Sequence, residues 1–246
     1  MGGAPRFFVE VAGGLRVGAT VELPEAVAHH AQHALRLRDG AAIVLVDGRG
    51  GEYAARLAAG RRAAAEVLAF DPVERESPLA VTLIQAFVPN EKLDWIIEKS
   101  TELGVARIVL APATRSVARL DAQRLARKRA HWREVAIAAC CQCGRNRVPE
   151  VLDAPSFAGA LALAQTCEAR VLLAPGAGAA LVRHARARSI AVAIGPEGGF
   201  CAQEIALAQR AGFVVTALGP RVLRTETAGP AALAALQAVG GDLSAA

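Results

Sequence analysis

The chain has 246 residues, 53% of them hydrophobic, with 28 Lys/Arg against 23 Asp/Glu and a formal net charge of +5. That length and apolar fraction support one large or two modest folded domains and exclude a disordered or low-complexity chain. No window approaches the roughly eighteen uninterrupted apolar residues of a membrane span, and Met1 to Phe8 hold no signal-peptide core, so a cytoplasmic protein is expected.

Residues 1–75 read as short β segments at Phe7 to Val11, Ala19 to Leu23, Ala41 to Val46, Glu52 to Leu57 and Ala64 to Phe70. Gly13-Gly14, Asp39-Gly40 and Asp47-Gly48 punctuate them, which predicts a small β-barrel. The glycine-rich turn Gly48 to Gly51 is not a dinucleotide fingerprint, because no helix follows it. Ala26 to Leu37 reads as a helix carrying His29, His30, His33, Arg36 and Arg38. No carboxylate or cysteine stands at ligand spacing from these histidines, so an exposed or RNA-facing role is expected rather than a metal. The polar, proline-bearing stretch Asp71 to Pro78 is a linker and divides the chain into domains 1–74 and 75–246.

Ala80 to Phe87 opens the second domain as a buried strand. The helix Asn90 to Leu103 follows, with Asn90 as its N-cap, Gly104 closing it and Trp95 expected in the core. Arg107 to Pro112 is the next strand, and Leu120 to Cys140 a long helix with Leu125, Trp132, Val135 and Ala139 on one apolar face. Ten basic residues against two acidic ones fall between 105 and 147; such a block suits a phosphate-binding face, the alternative being a solvated helix face. Five cysteines, three of them crowded at Cys140, Cys141 and Cys143, suit reduced thiols and lack the paired spacing of a zinc site. No metal is expected.

Arg170 to Ala174 is a further strand, leading into the loop Pro175 to Gly178. Two more strands, Ile190 to Ile194 and Phe213 to Leu218, each stop at a Gly-Pro pair. Between them lies a helix, Cys201 to Ala211, with Gly212 at its C′ position. Strand, loop and helix repeat in the order of a parallel α/β sheet, and ligands of such sheets bind beyond the carboxyl ends of the strands. Both Gly-Pro loops fall there. The first, Gly195 to Gly199, lets backbone approach a flat ligand closely and is no phosphate cradle, having an acid and no lysine. The second, Leu218 to Ala228, concentrates Arg221, Arg224, Thr225, Glu226 and Thr227 before an apolar helix Ala228 to Val239, for which Thr225 or Thr227 is the expected N-cap.

The two loops, Ile194-Gly195-Pro196-Glu197-Gly198-Gly199-Phe200 and Leu218-Gly219-Pro220-Arg221-Val222-Leu223-Arg224-Thr225-Glu226-Thr227-Ala228, resemble the knotted S-adenosylmethionine-dependent RNA methyltransferases of the SPOUT superfamily. Within it the likeness is to the bacterial 16S rRNA (uracil N3) methyltransferases. It extends to Arg6 to Val9, His30 to Leu37, Asp94 to Val105, and Gln142 to Arg145 followed by Val148 to Glu150, and so spans essentially the whole chain. The resemblance implies an α/β fold class: a C-terminal SPOUT domain with a parallel sheet and a trefoil knot, and a small N-terminal PUA-like RNA-binding β-barrel. It implies S-adenosylmethionine as cofactor, held by Leu173, Ile194, Gly195, Pro196, Glu197, Gly198, Leu218, Gly219, Leu223, Thr227 and Ala228. The implied partners are 16S rRNA in the small ribosomal subunit and a second copy of the chain. Arg6, Arg36, Arg115, Arg124, Lys128 and Arg145 are the expected RNA contacts.

Methylating uracil at N3 requires removing a weakly acidic N–H and stabilising the anion. Arg224 is the expected electrostatic stabiliser and Glu226 its orienter or the proton acceptor; a structural Arg224–Glu226 ion pair is the alternative. Cys141 stands where the family pattern has an acid. Two rivals remain: a knotted methyltransferase acting on ribose 2′-oxygen or tRNA, and a noncatalytic RNA-binding or ribosome-assembly protein.

Overall fold

The computed structural model describes residues 3–58, 63–116 and 122–243, with backbone alone for 122–124. The chain divides into two units, Met1–Glu76 with Cys140–Val148, and Ser77–Ala139 with Pro149–Ala246.

In the first unit β1 (Arg6–Phe8), β2 (Thr20–Glu22), α1 (Glu25–His29), β3 (Ala42–Val46), β4 (Glu52–Ala58) and β5 (Ala64–Asp71) follow in sequence. They form a sheet of order β1-β3-β4-β5-β2. β1 runs parallel to β3 and the other pairs are antiparallel. Alternate side chains, Ile43 and Leu45, Ala55 and Leu57, Ala65 and Val67, point into one core with Phe7 and Ala31, the two-residue period of a sheet covered on one face. The helix expected to reach Leu37 stops earlier. After α1 the chain makes a π-helical turn over His30–Ala34, the Leu35 N–H donates to the His30 carbonyl at 3.0 Å, and Arg36 takes a φ of 51°. A left-handed residue cannot continue a right-handed helix.

The returning segment Cys140–Val148 is pinned into this unit by buried polar groups. Asn146 donates to the Val73 carbonyl at 2.7 Å and accepts from Arg6 at 2.5 Å. Arg145, 4% exposed, grips both carboxylate oxygens of Glu76.

The second unit contains β6 (Ala80–Ala86), α2 (Asn90–Glu102), β7 (Val105–Ala111), α3 (Ala122–Cys143), β8 (Glu150–Asp153), α4 (Phe157–Leu163), β9 (Ala169–Leu173), β10 (Ala179–Ala180), β11 (Ser189–Ile194), α5 (Ala202–Arg210), β12 (Val214–Ala217) and α6 (Thr225–Gly240); the end of α3 lies in the first unit. The sheet order is β10-β12-β9-β11-β6-β7-β8, and all its pairs are parallel. This is the α/β parallel-sheet domain with a separate small β-domain that the sequence predicts. β6 and β11 are buried nearly end to end, as strands covered on both faces are. Ile84, Val109, Ala191 and Ala193 pack with Phe157, Ala160 and Ala208 on the α4 and α5 side. On the other side α6 lies against α2, β6 and β11.

Three local expectations fail. Pro89 holds the N-cap position of α2 without a side-chain cap, and Asn90 is already helical. Trp95 is 41% exposed: Leu93, Ile96, Ile97 and Ser100 trace the buried stripe, and position 95 lies off it by about 100° of helix rotation. Finally α6 begins at Thr225 with Arg224 as N-cap and no side-chain cap, because the Thr225 hydroxyl is engaged elsewhere, as follows.

Candidate active site

β12, β9 and β11 are neighbours in the sheet, and the segments after their carboxyl ends enclose a cleft of about 760 Å³, within the usual size range of small-molecule sites. Leu173 and Pro175 come from the end of β9; Ile194, Gly195, Pro196, Glu197 and Gly198 from the loop after β11; Leu218, Gly219, Leu223, Arg224, Glu226 and Ala228 from the segment after β12. Every position expected to meet the cofactor therefore lines the cleft except Thr227. That residue is exposed and outside the lining, while Thr225, 6% exposed, is inside it. Of the loop Pro175 to Gly178, only Pro175 reaches the wall.

The loop after β11 is tied from several elements. Thr225 donates its hydroxyl to the Gly195 carbonyl at 2.7 Å and accepts from Gln85 of β6 at 3.1 Å. Arg115 donates to the Gly198 carbonyl at 2.6 Å. Glu204 accepts from the Cys201 N–H at 2.8 Å and the Thr114 N–H at 2.7 Å. Burial pushes the Glu204 carboxyl up, but these backbone donors outweigh it and hold the group below its ordinary value. The fit is close: a Cβ on Gly195 would stand 3.0 Å from the Phe200 nitrogen.

Lys92, from the first turn of α2, is a charged wall residue that sequence reasoning missed. Its ammonium lies 2.7 Å from Glu197 Oε1 and 3.5 Å from Glu226 Oε2. The hydrogen bond to Glu197 holds Lys92 above its ordinary value, with Glu226 adding to it. For Glu197, burial raises the carboxyl, and the bond from Lys92 with one from its own backbone brings it below the ordinary value. Glu226 Oε2 is buried and makes no well-formed hydrogen bond among the described residues. The cation that meets Glu226 is thus Lys92, more than a hundred positions away in sequence, and not Arg224; Arg224 is exposed on the cleft wall.

The expected RNA contacts scatter. Arg36 is exposed and Lys128 half-buried on α3; the side chain of Arg124 lies outside the described residues. Arg115 is spent on the cleft loop. Arg6 is held by Glu52 at 2.5 Å as well as by Asn146, and Arg145 is interior, so both side chains are engaged within the fold. Much of the basic block is likewise neutralised by distant acids: Arg107 by Glu150 at 2.7 Å, Arg129 by Asp153 at 2.9 Å, Arg147 by Glu74 at 2.5 Å. Cys141 is half-buried, and burial raises its thiol against the opposing charge of Arg6. An acid at that position would lie in the field of Arg6, a role that Glu52 covers here. Among the described residues no group of three or more His, Cys, Asp or Glu is placed to hold a metal ion, and no helix is long and apolar enough to cross a membrane.

Comparison with known proteins yields a consistent picture. Residues 75–237 match the family described as RNA methyltransferase domain, and residues 23–68 the RNA methyltransferase PUA domain. Ribosomal RNA small subunit methyltransferase E of Bacillus subtilis (strain 168) is 30% identical over 243 residues, covering 94% of this chain and 95% of that protein. The Synechocystis protein of the same name is 34% identical over 230 residues, 91% of this chain and 74% of its own. The crystal structure of the Neisseria gonorrhoeae methyltransferase E bound to S-adenosylmethionine superposes with a TM-score of 0.88 at 38% identity, covering 98% of this chain and 100% of that one.

Proposed function

The chain belongs to the RNA methyltransferase family matched over residues 75–237, and from that premise we propose that it methylates N3 of a uridine in 16S ribosomal RNA. It is an S-adenosylmethionine-dependent ribosomal RNA methyltransferase, like its small-subunit relatives. In this proposal residues 1–74 hold RNA, residues 75–246 carry out methyl transfer through a knotted Leu218 to Ala228 segment, and the substrate is the assembled small subunit. The working form is a cytoplasmic homodimer.

The observation that carries the proposal is one cleft whose wall brings together both signature loops, Arg224 and Glu226. Its residues fit the cofactor. Glycine-rich backbone and the apolar Leu173 and Leu223 suit a flat adenine, and the carboxylates suit a cation. S-adenosylmethionine, when bound, supplies a methyl group on positively charged sulfur, which keeps the bonding electron pair as the methyl leaves. Arg224 then faces the uracil oxygens on which negative charge develops. Glu226, whose side chain lines the same cleft, takes the N3 proton.

Two measurements test this. Purified protein is incubated with labelled S-adenosylmethionine and either unmodified small subunits or free 16S rRNA, and the modified nucleoside is identified. 3-Methyluridine from the subunits is expected; a 2′-O-methylated nucleoside discards the N3 chemistry, and labelling of free rRNA alone discards the assembled substrate. The second concerns the cofactor wall. Thr225→Val keeps the side-chain shape but leaves the Gly195 carbonyl and the Gln85 amide facing a methyl group, and each orphaned group costs about 1–3 kcal/mol. Calorimetry is expected to give a roughly tenfold weaker cofactor Kd for Thr225→Val and a near-normal one for Thr225→Ser, since about 1.4 kcal/mol is a factor of ten. Equal Kd values for the valine variant and the parent would remove Thr225 from the wall's support.

A further inference from the structure

Lys92 is bonded more sparsely on one side than on the other. Its contact with Glu197, at 2.7 Å, reaches a loop that is also held by Thr225 at Gly195, by Arg115 at Gly198 and by the Glu204 cap. That loop has several ties besides Lys92. Among the described residues Glu226 has fewer ties: its Oε2 is buried, makes no well-formed hydrogen bond, and has the Lys92 ammonium 3.5 Å away. Thr225 anchors the first turn of α6 to Gly195 and Gln85, but Pro230 has no N–H to offer the Glu226 carbonyl, so the backbone at Glu226 itself lacks that bond. A buried carboxylate oxygen with one nearby cation takes its direction from that cation.

We propose that Lys92 is a positioning residue for methyl transfer: held in place by Glu197, its ammonium aims the Glu226 carboxylate into the cleft and keeps it there as the proton acceptor. The proposal rests on the role given to Glu226 above. It extends the reacting constellation to a third element, α2, so that Lys92, Glu197 and Glu226 work as one unit.

The consequence is a split between turnover and binding. Lys92→Met is expected to lower kcat at saturating RNA and cofactor by about tenfold or more, while the calorimetric Kd for S-adenosylmethionine stays within about threefold of the parent. Lys92→Arg, which keeps a cation within reach of both acids, is expected to recover most of the turnover. The double variant Lys92→Met/Glu226→Gln should be no slower than Glu226→Gln alone, since residues acting as a unit are non-additive. Thermal unfolding of each variant separates folding from function, and Lys92→Gln replaces the methionine variant should that one fail to fold.

A slow Glu226→Gln together with full turnover in Lys92→Met, or multiplicative losses in the double variant, would overturn the positioning role and leave the proposed reaction standing. A cofactor Kd raised tenfold by Lys92→Met with kcat unchanged overturns it too, by assigning Lys92 to the cofactor wall. Full turnover in Glu226→Gln instead overturns the proton-acceptor role itself, and the positioning role with it.

Discussion

Arg224→Ala is expected to lower kcat for methyl transfer by about 10²–10³-fold, the loss typical when one preorganised donor to a developing oxyanion is removed. The side chain is exposed on the cleft wall and the backbone of its segment is held by the Thr225 bond to Gly195, so the variant should fold and bind cofactor as the parent does. In the proposed reaction the uracil anion exists only along the reaction path. Loss of a group that meets it therefore appears in kcat and in kcat/KM together, with little change in the RNA Kd. Arg224→Lys, with a point charge in place of the planar fork, should fall between the two. Single-turnover methyl transfer at saturating RNA and cofactor is the measurement; an unchanged rate in Arg224→Ala removes the arginine from the chemistry and leaves it as a wall of the cleft.

The second large effect is on stability. Arg145→Met is expected to destabilise the unit that contains it by about 3 kcal/mol, the lower end of the range for breaking a buried ion pair by removing one partner. The Arg145 side chain is 5% exposed and both Glu76 oxygens are bound to it. Its removal leaves the Glu76 carboxylate, 24% exposed, without the guanidinium it is folded against, in a segment that also anchors Asn146. A fall in that unit's Tm of about 12–24 °C follows, at the roughly 4–8 °C per kcal/mol of a 60–100-residue domain. The opposite expectation, Arg145 as a phosphate contact on the surface, makes the reverse prediction: unchanged Tm, weaker RNA binding and a shallower dependence of affinity on salt. Thermal unfolding beside filter binding at two salt concentrations decides between them.

Much of the site was legible in the chain because it is local. The strand Ile190 to Ile194, the Gly-Pro turn and the helix after it form one continuous unit, and so do the strand and loop ending at Leu218 to Ala228. Hydrophobic period, Gly-Pro punctuation and the C′ glycine Gly212, whose φ is 82°, are properties of neighbouring residues, and they located both loops at the carboxyl edge of a parallel sheet. The cofactor contacts on those loops were implied by the family resemblance of the same two motifs, and all of them but Thr227 line the cleft.

What lay beyond the sequence is every partnership between distant positions. Whether Thr225 caps its own helix or reaches Gly195 depends on how the segment after β12 crosses the end of β11, and only the folded sheet brings Gln85 within 3.1 Å of it. Lys92 enters the cleft because α2 packs behind that edge, 105 residues from Glu197. The basic block between 105 and 147 read as an open cationic face, since the acids that neutralise it, Glu74, Glu76, Glu150 and Asp153, come from other elements. Local propensity and period act over a few residues and are written into the chain; hydrogen bonds and ion pairs act over about 3–4 Å in space, so their partners are chosen only when tertiary packing sets which distant side chains come that close.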